Sequence, residues 1–121
     1  MPSEERLRKV IELLIRDTTE GRVKWKAAFP PNSRTQGTDD IIQDYFEAEY
    51  KGQTVAVFER RYRAYNDETD STYWASDYSF AFVAYGNVTW ETEDSPLLAS
   101  LFKAAKESAA DVDGILDALL R

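Results

Sequence analysis

Tyr78-Ser79-Phe80-Ala81-Phe82-Val83-Ala84-Tyr85 is the core of the most hydrophobic segment of the chain, and its reading decides the fold class. Successive side chains of a strand point to opposite faces, so Tyr78, Phe80, Phe82 and Ala84 line one face while Ala81, Val83 and Tyr85 line the other. Apolar residues on both faces require both faces to be covered. One cover is a helix. The second is either another helix or the same surface of a second copy.

The strand begins at Tyr73, and the polar, mostly acidic Asn66 to Thr72 before it reads as the solvated tip of a long hairpin whose other strand is Thr54 to Tyr65. Lys51-Gly52 supplies the next turn, because glycine tolerates the positive φ that tight hairpins need. The strand before that turn starts at Ile42, with Phe46, Ala48 and Tyr50 alternating against Tyr45, Glu47 and Glu49. On the other side, Gly86-Asn87 turns the chain into Val88 to Thr92.

Both flanks are helical. Ser3 is a candidate N-cap, and Leu7, Val10, Ile11 and Leu14 recur at the spacing of one helix face, predicting a helix to about Thr19 that Gly21 closes. Val23 and Trp25 then alternate with Arg22, Lys24 and Lys26 as a short strand, and Phe29 to Asp40, with Pro30-Pro31 and Gly37, reads as a long loop. Ser95-Pro96 predicts the second helix start, Ser as cap and Pro at the first helical position. Leu98, Leu101, Phe102, Ala105 and Ala109 form its apolar stripe, which Val112, Leu116 and Leu119 prolong. Asp111, Asp113 and Gly114 predict a break and a short final helix. The expected architecture is one α+β domain over residues 1–121, an antiparallel meander of about five strands flanked by an N-terminal helix and a C-terminal helical segment.

Leu13-Leu14, Thr18, Gly21, Val23 and Trp25, with Asp111-Val112-Asp113, Leu116, Leu119 and Leu120, resemble the end motifs of an uncharacterised group of small bacterial domains. These share a helix, a strand meander and a closing helical segment. The resemblance implies the architecture and no catalytic residue. Gly114 stands where that pattern has a helix-favouring residue.

The 121 residues are 43% apolar and 13% aromatic, enough for a core of one domain. With no cysteine and no histidine, disulfides, Cys/His zinc sites and Ser-His or Cys-His nucleophile pairs within the chain are excluded. Apolar runs such as Leu13 to Ile15 fall far short of the roughly 20 residues that cross a bilayer, and Met1-Pro2-Ser3-Glu4-Glu5 lacks the pattern of an export leader. The expectation is a cytoplasmic protein without membrane contact. A net charge of −7 opposes direct nucleic-acid binding. That charge is polarised, since residues 1–65 hold 12 Lys/Arg against 11 Asp/Glu and residues 66–121 hold 3 against 11.

Four clusters carry possible chemistry. Glu49-Tyr50-Lys51 downstream of Asp39, Asp40 and Asp44 mimics the acid-then-E-x-K set of metal-dependent nucleases, against a plain hairpin turn at Lys51-Gly52. Asn66-Asp67-Glu68-Thr69-Asp70 offers oxygen ligands, yet lacks the glycine and terminal glutamate of a calcium loop. Arg60, Arg61, Tyr62 and Arg63 form the one concentrated basic segment, with Arg61 and Arg63 on one face and Arg60 and Tyr62 on the other. They suit a phosphate or carboxylate ligand, against cross-strand ion pairing with Glu47, Glu49 or the acidic C-terminal half. Of the three tryptophans, Trp25 and Trp90 read as core and Trp74 as an exposed contact.

No catalytic set, cofactor or metal site is assembled. The leading expectation is therefore a non-catalytic interaction or regulatory module acting through homo-oligomerisation or a protein partner. The alternatives are a small anionic, nucleotide-like ligand bound by Arg60, Arg61, Tyr62, Arg63 and Trp74, and an acidic nucleic-acid mimic acting as an inhibitor.

Overall fold

A computed structural model describes residues 3–93 and 95–121; Met1-Pro2, the start of the stretch read for an export leader, lies outside them. The elements run α1 (Glu4–Thr19), β1 (Lys26–Ala27), α2 (Asn32–Thr35), β2 (Ile41–Tyr50), β3 (Gln53–Asn66), β4 (Ser71–Ala84), β5 (Asn87–Thr92), α3 (Leu98–Ala109) and α4 (Val112–Leu119). The sheet is an antiparallel meander in the order β1-β2-β3-β4-β5. The fold is the expected α+β.

Ser3 caps α1 by accepting the Arg6 amide at 3.1 Å. The exit from α1 is tied down by backbone and side chain together. Gly21 takes φ +80, which lets the Arg22 and Val23 amides reach the Asp17 carbonyl at 2.8 and 3.2 Å. The Trp25 indole N–H donates to Thr18 Oγ1 at 2.9 Å, and the Trp25 amide donates to Ser108 Oγ on α3 at 3.0 Å. Val23 and Trp25 are buried, but they do not form the expected strand. Their backbone is spent on these helix contacts, so ladder pairing starts one residue later, at Lys26 opposite Glu47.

Helices α1 and α3 both cover one face of the sheet. Ile11 and Leu14 from α1 and Leu98, Leu101, Phe102 and Ala105 from α3 pack on Phe46, Ala48, Val55, Val57 and Phe80. Each large side chain fully buried there contributes about 1.5–3 kcal/mol. The start of α3 differs from expectation. Ser95, Pro96 and Leu97 form a turn in which Ser95 Oγ accepts the Leu97 amide at 3.2 Å and the Ser95 carbonyl accepts the Leu98 amide at 3.3 Å, so the helix begins at Leu98.

Among the described residues no second helix layer covers the second face. Tyr45, Ala56, Phe58 and Ala81 form a smaller core joined by Ala28, Ile42, Val83 and Val88. The connection between β1 and β2 closes over this core. It is not a plain loop: Asn32–Thr35 form one helical turn, α2, from which Arg34 reaches back over the Phe58 ring at 5.8 Å. Arg34 Nε and Nη2 grip the Glu91 carboxylate at 2.6 and 3.1 Å, and Nη2 also reaches Asp40 at 3.3 Å. The cover stops before the end of β4. At that end Tyr85 is fully exposed in the turn, and on the opposite, helix-covered face Phe82 is 39% exposed, stacked on Trp90 at 5.0 Å. That turn is Tyr85-Gly86, at φ 54 and 75, one residue earlier than Gly86-Asn87. The other expected hairpin turn stands at Lys51-Gly52, at φ 52 and 82.

A candidate interaction surface on the arm and the last helix

The β3–β4 hairpin outruns its cover. Tyr78 packs against Phe102 of α3 with tilted rings 4.7 Å apart, and the paired residues from Arg61–Ser76 to Asn66–Ser71 continue as a two-stranded arm. The five residues singled out in the sequence all lie at the base of this arm, but on opposite faces.

Arg60 and Tyr62 share the face that the β1–β2 connection covers. Arg60 Nε and Nη2 donate to its register partner Asp77 at 3.1 and 2.8 Å, and Nη1 lies 3.6 Å from Asp40. Asp40 thus sits between Arg34 and Arg60. The carboxylates raise both guanidinium pKa values above their ordinary value, first through the hydrogen bonds that Arg34 donates to Glu91 and Arg60 donates to Asp77. Arg60 also stacks on Tyr62 at 4.4 Å. Ion pairing therefore accounts for Arg60, with Asp77 and Asp40 in place of Glu47 or Glu49. Beneath it, the Ser79 hydroxyl is fully buried without a hydrogen-bond partner.

Arg61, Arg63 and Trp74 share the other face, beyond the helices. Their guanidinium carbons lie 5.6 and 5.3 Å from the centre of the Trp74 ring, which is 42% exposed. Neither arginine has a carboxylate partner among the described residues. Ile41, opposite Arg61, and Tyr65 extend the exposed apolar surface on this side. An aromatic platform between two unneutralised forked cations is chemically suited to a carboxylate or phosphate group presented beside apolar surface.

The remaining clusters are engaged locally. Lys51 is in its turn with the ammonium over Tyr50 at 5.2 Å, Glu49 accepts from Thr54 Oγ1 at 2.7 Å, and Asp44 faces Lys106 at 3.7 Å. At the hairpin tip Asn66 Oδ1 accepts the Glu68 amide at 2.9 Å, and the Tyr65 hydroxyl donates to Asp70. Among the described residues no three carboxylates converge as a metal-ligand set, and no helix is long and apolar enough to cross a membrane.

Sequence reasoning missed the largest exposed apolar feature. It treated Val112, Leu116 and Leu119 as a continuation of the buried α3 stripe. The chain breaks where expected, with Asp111 at φ 52, but the short α4 that follows departs with none of its residues buried. Val112, Ile115, Leu116, Leu119 and Leu120 fall at i, i+3, i+4, i+7 and i+8, and all are exposed, Leu119 at 75% and Leu120 at 84%. At Gly114 a Cβ would meet only the exposed Asp111 carboxylate, which lies over the first turn of α4 and can swing aside. An open cleft of about 260 Å³ lies beside the joint, between Thr18, Gly21 and Lys24 on one side and Glu107, Ser108 and Asp113 on the other. The signal was present in Asp111 and Gly114, which mark a change of direction and hence of what the stripe can face.

Comparison with protein-family models, curated proteins and solved structures finds no match to this chain.

Proposed function

We propose that this chain is a non-catalytic interaction module that binds a protein surface through the apolar side of α4. The observation that carries the reading is the exposure of four apolar side chains on one side of a helix eight residues long, continued by Leu120 just past its end. A helix shorter than about 12 residues is marginal in water and draws its stability from packing of its apolar face. The exposed area, on the order of 500 Å², is at the upper end of what monomers leave uncovered. Anchors at i, i+3, i+4 and i+7 are the pattern by which an amphipathic helix enters an apolar groove.

The test is a Leu116→Asp/Leu119→Asp double variant compared with the wild type by light scattering and by cross-linking in the native host. The expected result is an unchanged circular dichroism spectrum together with loss of the self-association or of the cross-linked partner. Identical mass and identical cross-links in the two proteins would overturn the reading.

The unpaired Arg61 and Arg63 around Trp74 favour a second reading, a site for a small anionic ligand. Titration with inorganic phosphate and with a nucleoside triphosphate, followed by tryptophan fluorescence, would show saturable quenching that Arg63→Ala removes. No change at millimolar ligand removes this reading.

A further inference from the structure

The two unsatisfied surfaces of this chain complement each other. On α4, Asp113 and Asp117 stand one turn apart beside the apolar stripe, and neither has an ion-pair partner among the described residues. On the arm, Arg61 and Arg63 flank Trp74 and lack carboxylate partners. Side chains at i and i+4 of a helix are about 6 Å apart. Residues at i and i+2 of a strand are separated by roughly 6.6 Å. The spacings allow both carboxylates to meet both guanidinium groups at once, with the leucines of α4 laid against the Trp74 side of the arm.

We propose that the chain dimerises by reciprocal exchange, α4 of each copy lying across the uncovered Arg61–Arg63–Trp74 face of the other copy's arm. This rests on the reading of α4 as the binding helix and names its partner. Area decides between this arrangement and the simpler one of α4 against α4. The latter would bury only about 1,000 Å² in total, below the standard range for a stable interface, and would set four carboxylates against one another. Two α4–arm contacts bury about 2,000 Å², within the range of stable dimers. Each contact joins unlike surfaces, and exchange in both directions closes the pair about a two-fold axis instead of propagating a filament. Glu59, next to Arg61 on the same side of β3, offsets part of the arm's positive charge. The two cations beyond it remain to be neutralised.

Sedimentation velocity across micromolar concentrations tests the proposal with two charge-reversed proteins, Arg61→Glu/Arg63→Glu and Asp113→Lys/Asp117→Lys. The wild type is expected to sediment as a dimer. Each variant alone places like charges across both contacts and is expected to hold its dimer at least about 100-fold more weakly. An equimolar mixture of the two restores opposite charges at both contacts and recovers the dimer. Circular dichroism establishes that each variant is folded, and the mixture exposes a variant that is merely damaged. A monomeric wild type, a dimer indifferent to Arg61→Glu/Arg63→Glu, open-ended growth, or a mixture that stays monomeric would each overturn the exchange. A monomeric wild type that still forms cross-links dependent on Leu116 and Leu119 overturns the exchange alone and leaves α4 as a helix for another protein.

Discussion

Helices α3 and α4 follow one another with only Ala110 and Asp111 between them, and both carry an apolar stripe at helical spacing. In α3 the stripe is consumed: Leu98, Leu101, Phe102 and Ala105 are all buried against the sheet. In α4 no residue is buried. Amphipathicity is thus a property of the segment, whereas burial depends on what the segment's direction brings it against. The left-handed turn at Asp111 separates a helix that builds the domain from one that the domain displays.

The contrast is broken most directly by matched truncations. Leu101→Ala in α3 removes a fully buried side chain and is expected to cost about 3 kcal/mol in urea unfolding, the middle of the range for such cavities. Thr18→Val would leave the buried Trp25 indole N–H without its acceptor beside the point where α3 is tied down. A loss of about 1–2 kcal/mol is expected in the same assay. Asp111→Ala puts a residue type that tolerates the left-handed conformation less well than Asp at φ 52 and should cost about 1 kcal/mol, with Asp111→Gly recovering it. Leu116→Ala in α4, measured in dilute solution, should change stability by less than about 0.5 kcal/mol. A cost above that of Thr18→Val would mean that α4 is packed within its own chain and would abolish the distinction.

The smallest effect varies with pH only in acid, where the cost of losing the Tyr50 hydroxyl fades. Asp17 accepts the Tyr50 hydroxyl at 2.8 Å, and this bond, ahead of the contributions of Arg16 and Arg22 and against its partial burial, holds the carboxyl below its ordinary value of 3.8. A lowered carboxyl pKa stabilises the fold above the unfolded value, and that stabilisation is lost as pH falls through the folded value. Tyr50→Phe should therefore flatten the drop in urea midpoint below pH 3.8 and leave its shape at neutral pH unchanged. A parallel displacement at every pH would assign Tyr50 a packing role alone.

Local rules were sufficient wherever a short stretch determines its own geometry. Lys51-Gly52 specifies a hairpin, Ser3 a cap and Gly21 a helix exit, and each stands where the residues place it. The strand order followed because short turns join antiparallel neighbours. What the sequence concealed depended on residues far apart in the chain. The cover of the second face relies on Arg34 reaching Glu91 and on Asp40 reaching Arg60, and Phe29 to Asp40 contains no apolar periodicity to announce it. The basic segment was legible as a cluster, and alternation correctly divided Arg61 and Arg63 from Arg60 and Tyr62. That Asp77 would neutralise Arg60 and leave the other face uncompensated required the register of β3 against β4. The exposure of α4 was concealed for a different reason: a periodic stripe records which residues lie together, not what they meet.

The joint at Asp111 also sets a clock. Ser108, in the last turn of α3, holds the Trp25 amide, so that turn opens only when the chain around β1 lets go. Three residues later no such anchor exists, and the amides of α4 need only a local fraying to meet solvent. In hydrogen exchange, α3 will keep the time of global unfolding while α4 keeps a much faster one. Contact with a partner should slow the second until the two run together.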